Sequence, residues 1–178
     1  MTQDIYQKAI SFAAEKHKNQ KVPGTGANYL LHLSNVAMEV ILAHKASQVF
    51  NLNYAIQLAL LHDTLEDTDT EFSELKELFG QQVASGVQAL TKNNQLNTKE
   101  EKMMDSLSRI NHLEKEVAIV KLADRITNLQ KPPKSWNKEK IQNYLKEAQL
   151  INTLLKNKND YLNTRLKTKI KSYKKYAE

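Results

Sequence analysis

The stretch His62-Asp63-Thr64-Leu65-Glu66-Asp67-Thr68 gathers an imidazole and three carboxylates into barely two turns of a predicted helix. It follows the apolar run Ala55-Ile56-Gln57-Leu58-Ala59-Leu60-Leu61, so these groups are expected at the edge of a core. At helical spacing His62 and Glu66 lie four residues apart on one face, as do Asp63 and Asp67. Burying so much polarity is unfavourable unless something compensates for it, and a divalent cation is the natural counter-charge. Glu66 and Asp67 also stand where a helix ends, and acids there oppose the negative end of its dipole. That placement favours a chemical reason for them, an acid/base pair beside a metal site.

Two distant segments supply partners. Tyr29-Leu30-Leu31-His32 leads into a helical pattern marked by Val36, Val40 and Ile41, which puts His32 near a helix start. The run from Val117 to Leu122 and Ala123 is apolar except for Lys121 and stops at Asp124, with Asn128 one turn further on the same face. Two imidazoles and two carboxylates, each set in otherwise apolar helix, make a mixed N/O donor set. Such a set suits six-coordinate Mn²⁺, Fe²⁺ or a related ion with positions left for water and substrate.

The elements that must position these groups are helices. Only four Gly and three Pro interrupt 178 residues, and strand-type alternation is nearly absent, so the expectation is an all-α, compact single domain. Helices are predicted over residues 4–18, 32–45, 53–66, 70–79, 81–90 and 98–111. A further one carries Asp124 and stops before Pro132-Pro133, and two close the chain over 138–156 and 160–176. The absence of cysteine excludes a disulfide scaffold and a thiolate metal site. Met1-Thr2-Gln3-Asp4 has neither a basic region nor an apolar stretch after it, so no secretory signal is expected. No apolar run approaches the ~20 residues needed to span a bilayer, and a cytoplasmic location is expected.

The ordered set His32, His62-Asp63, Asp124 resembles the HD phosphohydrolase superfamily. Glu66-Asp67 and Lys121-Leu122-Ala123-Asp124-Arg125-x-x-Asn128 are similar, more specifically, to the hydrolase domain of RelA/SpoT proteins in its free-standing small form. The resemblance runs over residues 5–151 and includes Phe12-Ala13-Ala14-x-x-His17-x-x-Gln20 and the Trp136 to Tyr144-x-x-x-Ala148 segment. It implies that His32, His62, Asp63 and Asp124 hold one Mn²⁺. It also implies that Glu66 and Asp67 activate water and handle protons, and that Asn128 and Tyr144 contact the nucleotide. The implied reaction removes the 3′-pyrophosphate of ppGpp or pppGpp, giving GDP or GTP. Lys21 stands alone where family members carry an arginine-bearing stretch. As the implied base contact, it lacks arginine's fork and stacking plane.

Two other readings use the same residues: an HD-type phosphatase of another nucleotide or dinucleotide cofactor, and a non-catalytic nucleotide-binding regulator. Residues 156–178 hold eight Lys/Arg against two Asp/Glu, which accounts for the whole net charge of +6. Leu162, Leu166, Ile170 and Tyr173 form a stripe along this stretch, so it reads as a terminal helix packed on the domain 1–155 with its lysines in water. No nucleic-acid motif accompanies it, and the expected partner is a small guanosine polyphosphate. His17, His44 and His112 have no partners at ligand spacing and read as structural or surface residues; Lys92, Lys102 and Arg109 are candidates for reaching phosphate.

Overall fold

In the computed structural model, which describes residues 1–178, every regular element is a helix, and the one β-type pairing is an isolated antiparallel bridge between Lys21 and Asn28. The helices are α1 (Thr2–Lys16), α2 (Leu30–Ala46), α3 (Leu52–Leu61), the single turn α4 (Thr64–Asp67) and α5 (Phe72–Phe79). They continue with α6 (Gln81–Leu90), α7 (Lys99–Asn111), α8 (Lys115–Asn128), α9 (Lys138–Leu154) and α10 (Asp160–Ala177). Gly80, with φ of 88°, separates α5 from α6 in a conformation that side chains with a Cβ rarely adopt. Asn51, Thr98, Asn137 and Asn159 start α3, α7, α9 and α10 by accepting a backbone N–H from the first turn of each helix.

Two helices form the centre, buried on nearly all sides. In α3 every residue from 54 to 61 except Gln57 is buried, and α1, α2, α6 and α8 surround it. In α8 residues 116–126 are buried except Lys121, with α2, α3, α6, α7, α9 and α10 around it. A helix as apolar as α3 must be enclosed by others, and α8 is enclosed with its buried Asp124 and Arg125 paired to neighbouring side chains. Since α2, α3 and α8 pack on one another, the start of α2 and the C-terminal ends of α3 and α8 meet at one place.

The helix predicted over 53–66 is broken at its functional doublet. α3 ends at Leu61, His62 and Asp63 form a turn, and α4 resumes at Thr64. Local side chains take over backbone acceptors at the break. His62 Nδ1 donates to the Ala59 carbonyl at 2.9 Å, and Thr64 Oγ1 donates to the Leu61 carbonyl at 2.7 Å. Asp63, at φ −98° and ψ −1°, adopts the bridge conformation that re-aims the chain.

The basic helix α10 packs along α9, α8 and α2. It buries Leu162, Leu166, Ile170 and Tyr173. Arg165 also grips Glu39 of α2 with two nitrogens, Nε at 2.6 Å and Nη2 at 2.5 Å from the two carboxylate oxygens. Leu166 has no exposed surface, so Leu166→Ala is expected to destabilise the protein by about 2–5 kcal/mol through the cavity it leaves. Thermal and urea unfolding should show this as an earlier midpoint of a single transition, with α10 melting together with the rest.

Candidate functional site

His32 sits in the first turn of α2, His62 and Asp63 form the turn after α3, and Asp124 lies one turn before the end of α8. The fold brings all four together. His32 Nε2 lies 3.3 Å from His62 Nε2, 3.6 Å from Asp63 Oδ2 and 3.5 Å from Asp124 Oδ1. His62 Nε2 lies 2.9 Å from Asp63 Oδ2 and 3.8 Å from Asp124 Oδ1. The donor atoms of His32, His62 and Asp124 are all within 4.8 Å of one another, and all three residues are buried.

Four electron-pair donors facing one another away from water need positive charge between them. Burial works against the charged form of His62, yet Asp63 and Asp124 outweigh it and hold its imidazole well above the ordinary value. In spite of burial, the same pairing keeps Asp124 and Asp63 far below the usual carboxylate range, with Lys121 assisting at Asp124. His32 moves the other way, lowered chiefly by burial, which leaves a neutral imidazole. The His62 Nδ1–H bond to the Ala59 carbonyl turns Nε2 into the site, the second bond that metal-binding histidines characteristically make. Donors in adjacent positions about a six-coordinate ion with bonds of ~2.1 Å stand ~3 Å apart, so this cluster matches the spacing that one small divalent ion needs.

Hydrogen bonds from outside the cluster fix its carboxylates. Tyr29 Oη donates to Asp63 Oδ2 at 2.6 Å. Asn128 donates its amide to Asp124 Oδ1, and Lys121 Nζ lies 3.7 Å from Asp124 Oδ2. Burial, and next the Asp63 charge, push the Tyr29 phenol up, so it stays a proton donor. Asn128 thus braces a carboxylate of the cluster and also lines the cavity beside it. Tyr29 carried no sequence signal beyond its place three residues before His32.

A cavity of about 760 Å³ opens from the cluster and is lined by Asp63 and Asp124 at one end, with Glu66 and Asp67 beside them. Lys92, Lys99, Lys102, Lys121, Arg125 and Lys140 make much of its wall basic, and Tyr144 and Trp136 supply aromatic surface. Glu66 is bound through both oxygens by Lys92, from the backbone N–H at 3.0 Å and from Nζ at 2.5 Å. Asp67 accepts from Gln20 Nε2 at 2.9 Å; burial raises it from its ordinary value, the Gln20 hydrogen bond works the other way, and Asp63 and Glu66 add to the rise.

Arg125, buried beneath the cavity, lies over the Tyr144 ring at 4.2 Å and donates to Glu147 at 3.1 Å. Its Nε and Nη1 are buried without a hydrogen-bond partner. The sequence named it only within the Lys121 to Asn128 string and gave it no role of its own.

Other expectations fare differently. Lys21 does not line the cavity: its backbone closes the bridge with Asn28, and its side chain is exposed. The physical reason is the short hairpin-like clip of residues 20–29, which carries Lys21 outward while Gln20 points in. Lys92 and Lys102 do reach the cavity, whereas Arg109 is held elsewhere by Asp105 and the carbonyls of Gln88 and Thr91. His17 is buried outside the ligand cluster, where its ring nitrogen meets Gln20.

The HD domain family model matches residues 9–161. Over 152 residues the chain is 36% identical to guanosine-3′,5′-bis(diphosphate) 3′-pyrophosphohydrolase MESH1 of Danio rerio, covering 83% of this chain and 82% of that one. It is 34% identical over 163 residues to the protein of the same name from Xenopus tropicalis, covering 89% and 88%. A solved structure described as a metazoan ortholog of SpoT that hydrolyzes ppGpp superposes with a TM-score of 0.81 at 25% identity, covering 94% of each chain.

The hydrogen bond that holds Asp63 gives a direct check on the cluster. Tyr29→Phe is expected to weaken divalent-ion binding by about 10–100-fold, and Asp124→Asn by more, with the helical signal kept in both. Titration of metal-stripped protein with Mn²⁺, followed by calorimetry and circular dichroism, measures both effects.

Proposed function

From its membership of the HD domain family, to which this chain belongs, we propose that it is a metal-dependent 3′-pyrophosphohydrolase of ppGpp and pppGpp. The observation that carries this reading is the joining, in one cavity, of a cation-demanding donor cluster, two adjacent carboxylates and a basic wall. A substrate with many phosphate charges matches such a wall, because clustered Lys/Arg raise the local concentration of a polyanion. The volume also suits a nucleotide, within the usual ~300–1,000 Å³ of small-molecule sites. The names of the relatives specify the guanosine 3′-pyrophosphate.

His32, His62, Asp63 and Asp124 would hold the ion, with Mn²⁺ as the expected metal. When bound there it supplies Lewis-acid charge to phosphate oxygens and acidifies water. The chain's own residues do the rest. Asp67, raised from its ordinary value chiefly by burial, accepts a proton from the attacking water. The water oxygen joins the phosphorus next to the ribose, and the bond from that phosphorus to the 3′ oxygen breaks. That oxygen leaves with a proton delivered by the Glu66–Asp67 pair, so the products are GDP or GTP and pyrophosphate.

Lys92 is placed to serve the phosphates as well as Glu66. Its charge is favoured by Glu66 in spite of burial, so Nζ can pass from Glu66 to a phosphate oxygen as an ammonium. Arg125 and Lys121 add donors on the α8 side, and Tyr144 offers a face for the base. A cytoplasmic site of action goes with this substrate; no helix is long and apolar enough to cross a membrane.

Metal-stripped protein is expected to release pyrophosphate and GDP from ppGpp only when Mn²⁺ is restored, with Asp63→Ala as the blank. Glu66→Gln and Asp67→Asn should each lower kcat by about 10²–10⁴-fold while leaving Mn²⁺ binding intact. Separation of the nucleotide products by anion exchange decides the reaction. Release of single phosphates would transfer the protein to the phosphatase class.

A further inference from the structure

Gln20 is fixed more firmly than an exposed loop glutamine needs to be. Its carbonyl accepts the Tyr29 N–H at 3.0 Å, and inside that closure Val22 N–H bonds the Ala27 carbonyl at 3.0 Å. The loop between is bridged at Lys21 and Asn28, and its tip, Gly24, packs so closely that a Cβ there would meet Pro133 Cβ at 2.9 Å. The side chain is held too. Gln20 Oε1 is 2.5 Å from His17 Nδ1, and Gln20 Nε2 donates to Asp67 Oδ2 at 2.9 Å. His17 is buried at the end of α1, with its ring against Tyr29 at 5.0 Å between centroids.

The chemistry of these bonds sets their direction. A carboxylate only accepts, so Gln20 must offer its NH₂ to Asp67 and its oxygen to His17, and His17 Nδ1 must then be the donor. The relay runs from His17 through Gln20 to Asp67, with every role assigned. It turns one oxygen of Asp67 toward the loop and leaves Oδ1 for the cavity that Asp67 lines. A neutral amide suits this task. A lysine or arginine in its place would orient the carboxylate but also neutralise it and weaken it as a base.

We propose that Gln20, aligned by His17, is a positioning residue that orients the Asp67 carboxylate for proton transfer. This rests on the reading of Asp67 as the proton acceptor given above. Gln20 touches no atom of the ion cluster, so its effect is confined to turnover.

The variant to make is Gln20→Met, which keeps the length of the side chain and removes its hydrogen-bond donor. Its kcat for ppGpp is expected to fall by about 10–100-fold, with KM, Mn²⁺ binding and the unfolding midpoint unchanged. Gln20→Glu keeps the shape as well but sets an acceptor against Asp67, and should be at least as slow. In an Asp67→Asn background, Gln20→Met should cost nothing further, because the group it positions is gone. A wild-type kcat in Gln20→Met beside a crippled Asp67→Asn would overturn the proposal, as would an undiminished loss in the double variant. Full turnover in Asp67→Asn itself would instead remove the reading of Asp67, and the positioning role with it.

Discussion

Two imidazoles and two carboxylates converge where water is largely excluded, and the rest of the structure is arranged around making that tolerable. Electron-pair donors packed 2.9–3.8 Å apart repel unless positive charge sits among them. The surroundings answer in a consistent way. Asp63 and Asp124 keep His62 ready to carry positive charge despite its burial, and Tyr29, Asn128 and Lys121 bring donors to the carboxylates from three directions. The site is therefore preorganised for a cation before any substrate arrives, and what a substrate meets is a fixed field.

The fold's two central helices follow from the same constraint. Helices α3 and α8 must be enclosed on nearly all sides to hold His62 and Asp124 at their ends with so little exposure. Enclosure brings α2 against both, and with it His32. The terminal helix α10 completes the cover over α8 and α9, tied to α2 by the Arg165–Glu39 pair. Its lysines face water, so the excess charge of the chain lies on a supporting element, while the basic groups that face the cavity come from α7, α8, α9 and the loop after α6.

The cavity separates two kinds of carboxylate. Asp63 and Asp124 sit where positive charge holds them ionised and available as donors. Asp67 sits where burial and like charge raise it, and where its contact is a neutral amide. That contrast is what the proposed division of labour, holding by Asp63 and Asp124 and proton transfer at Asp67, rests on. The break after Leu61 makes it possible. The turn at Asp63 sends the later acids to the cavity's flank.

The residues that carry the cluster were legible in the chain itself. His32, His62, Asp63 and Asp124 are polar groups set into apolar helical runs, a pattern with a high physical cost and few explanations. The all-helical class was equally legible, from few glycines and prolines and sustained helical periodicity. The HD-type order of these residues then pointed to the reaction. What the chain could not show is which groups meet across long separations. Tyr29 reaches Asp63 over 34 residues, Lys92 reaches Glu66 over 26 and Gln20 reaches Asp67 over 47, and each of these bonds exists only because helices pack. Lys21 turned outward for the same reason, since a one-residue step in the clipped loop exchanges the inward and outward faces. Sequence alone determined the donor types and the helices that bear them, because burial and periodicity are local properties of the chain. Tertiary structure alone decided how each donor is aimed and what holds it, because hydrogen bonds between distant segments depend on distances that only packing sets.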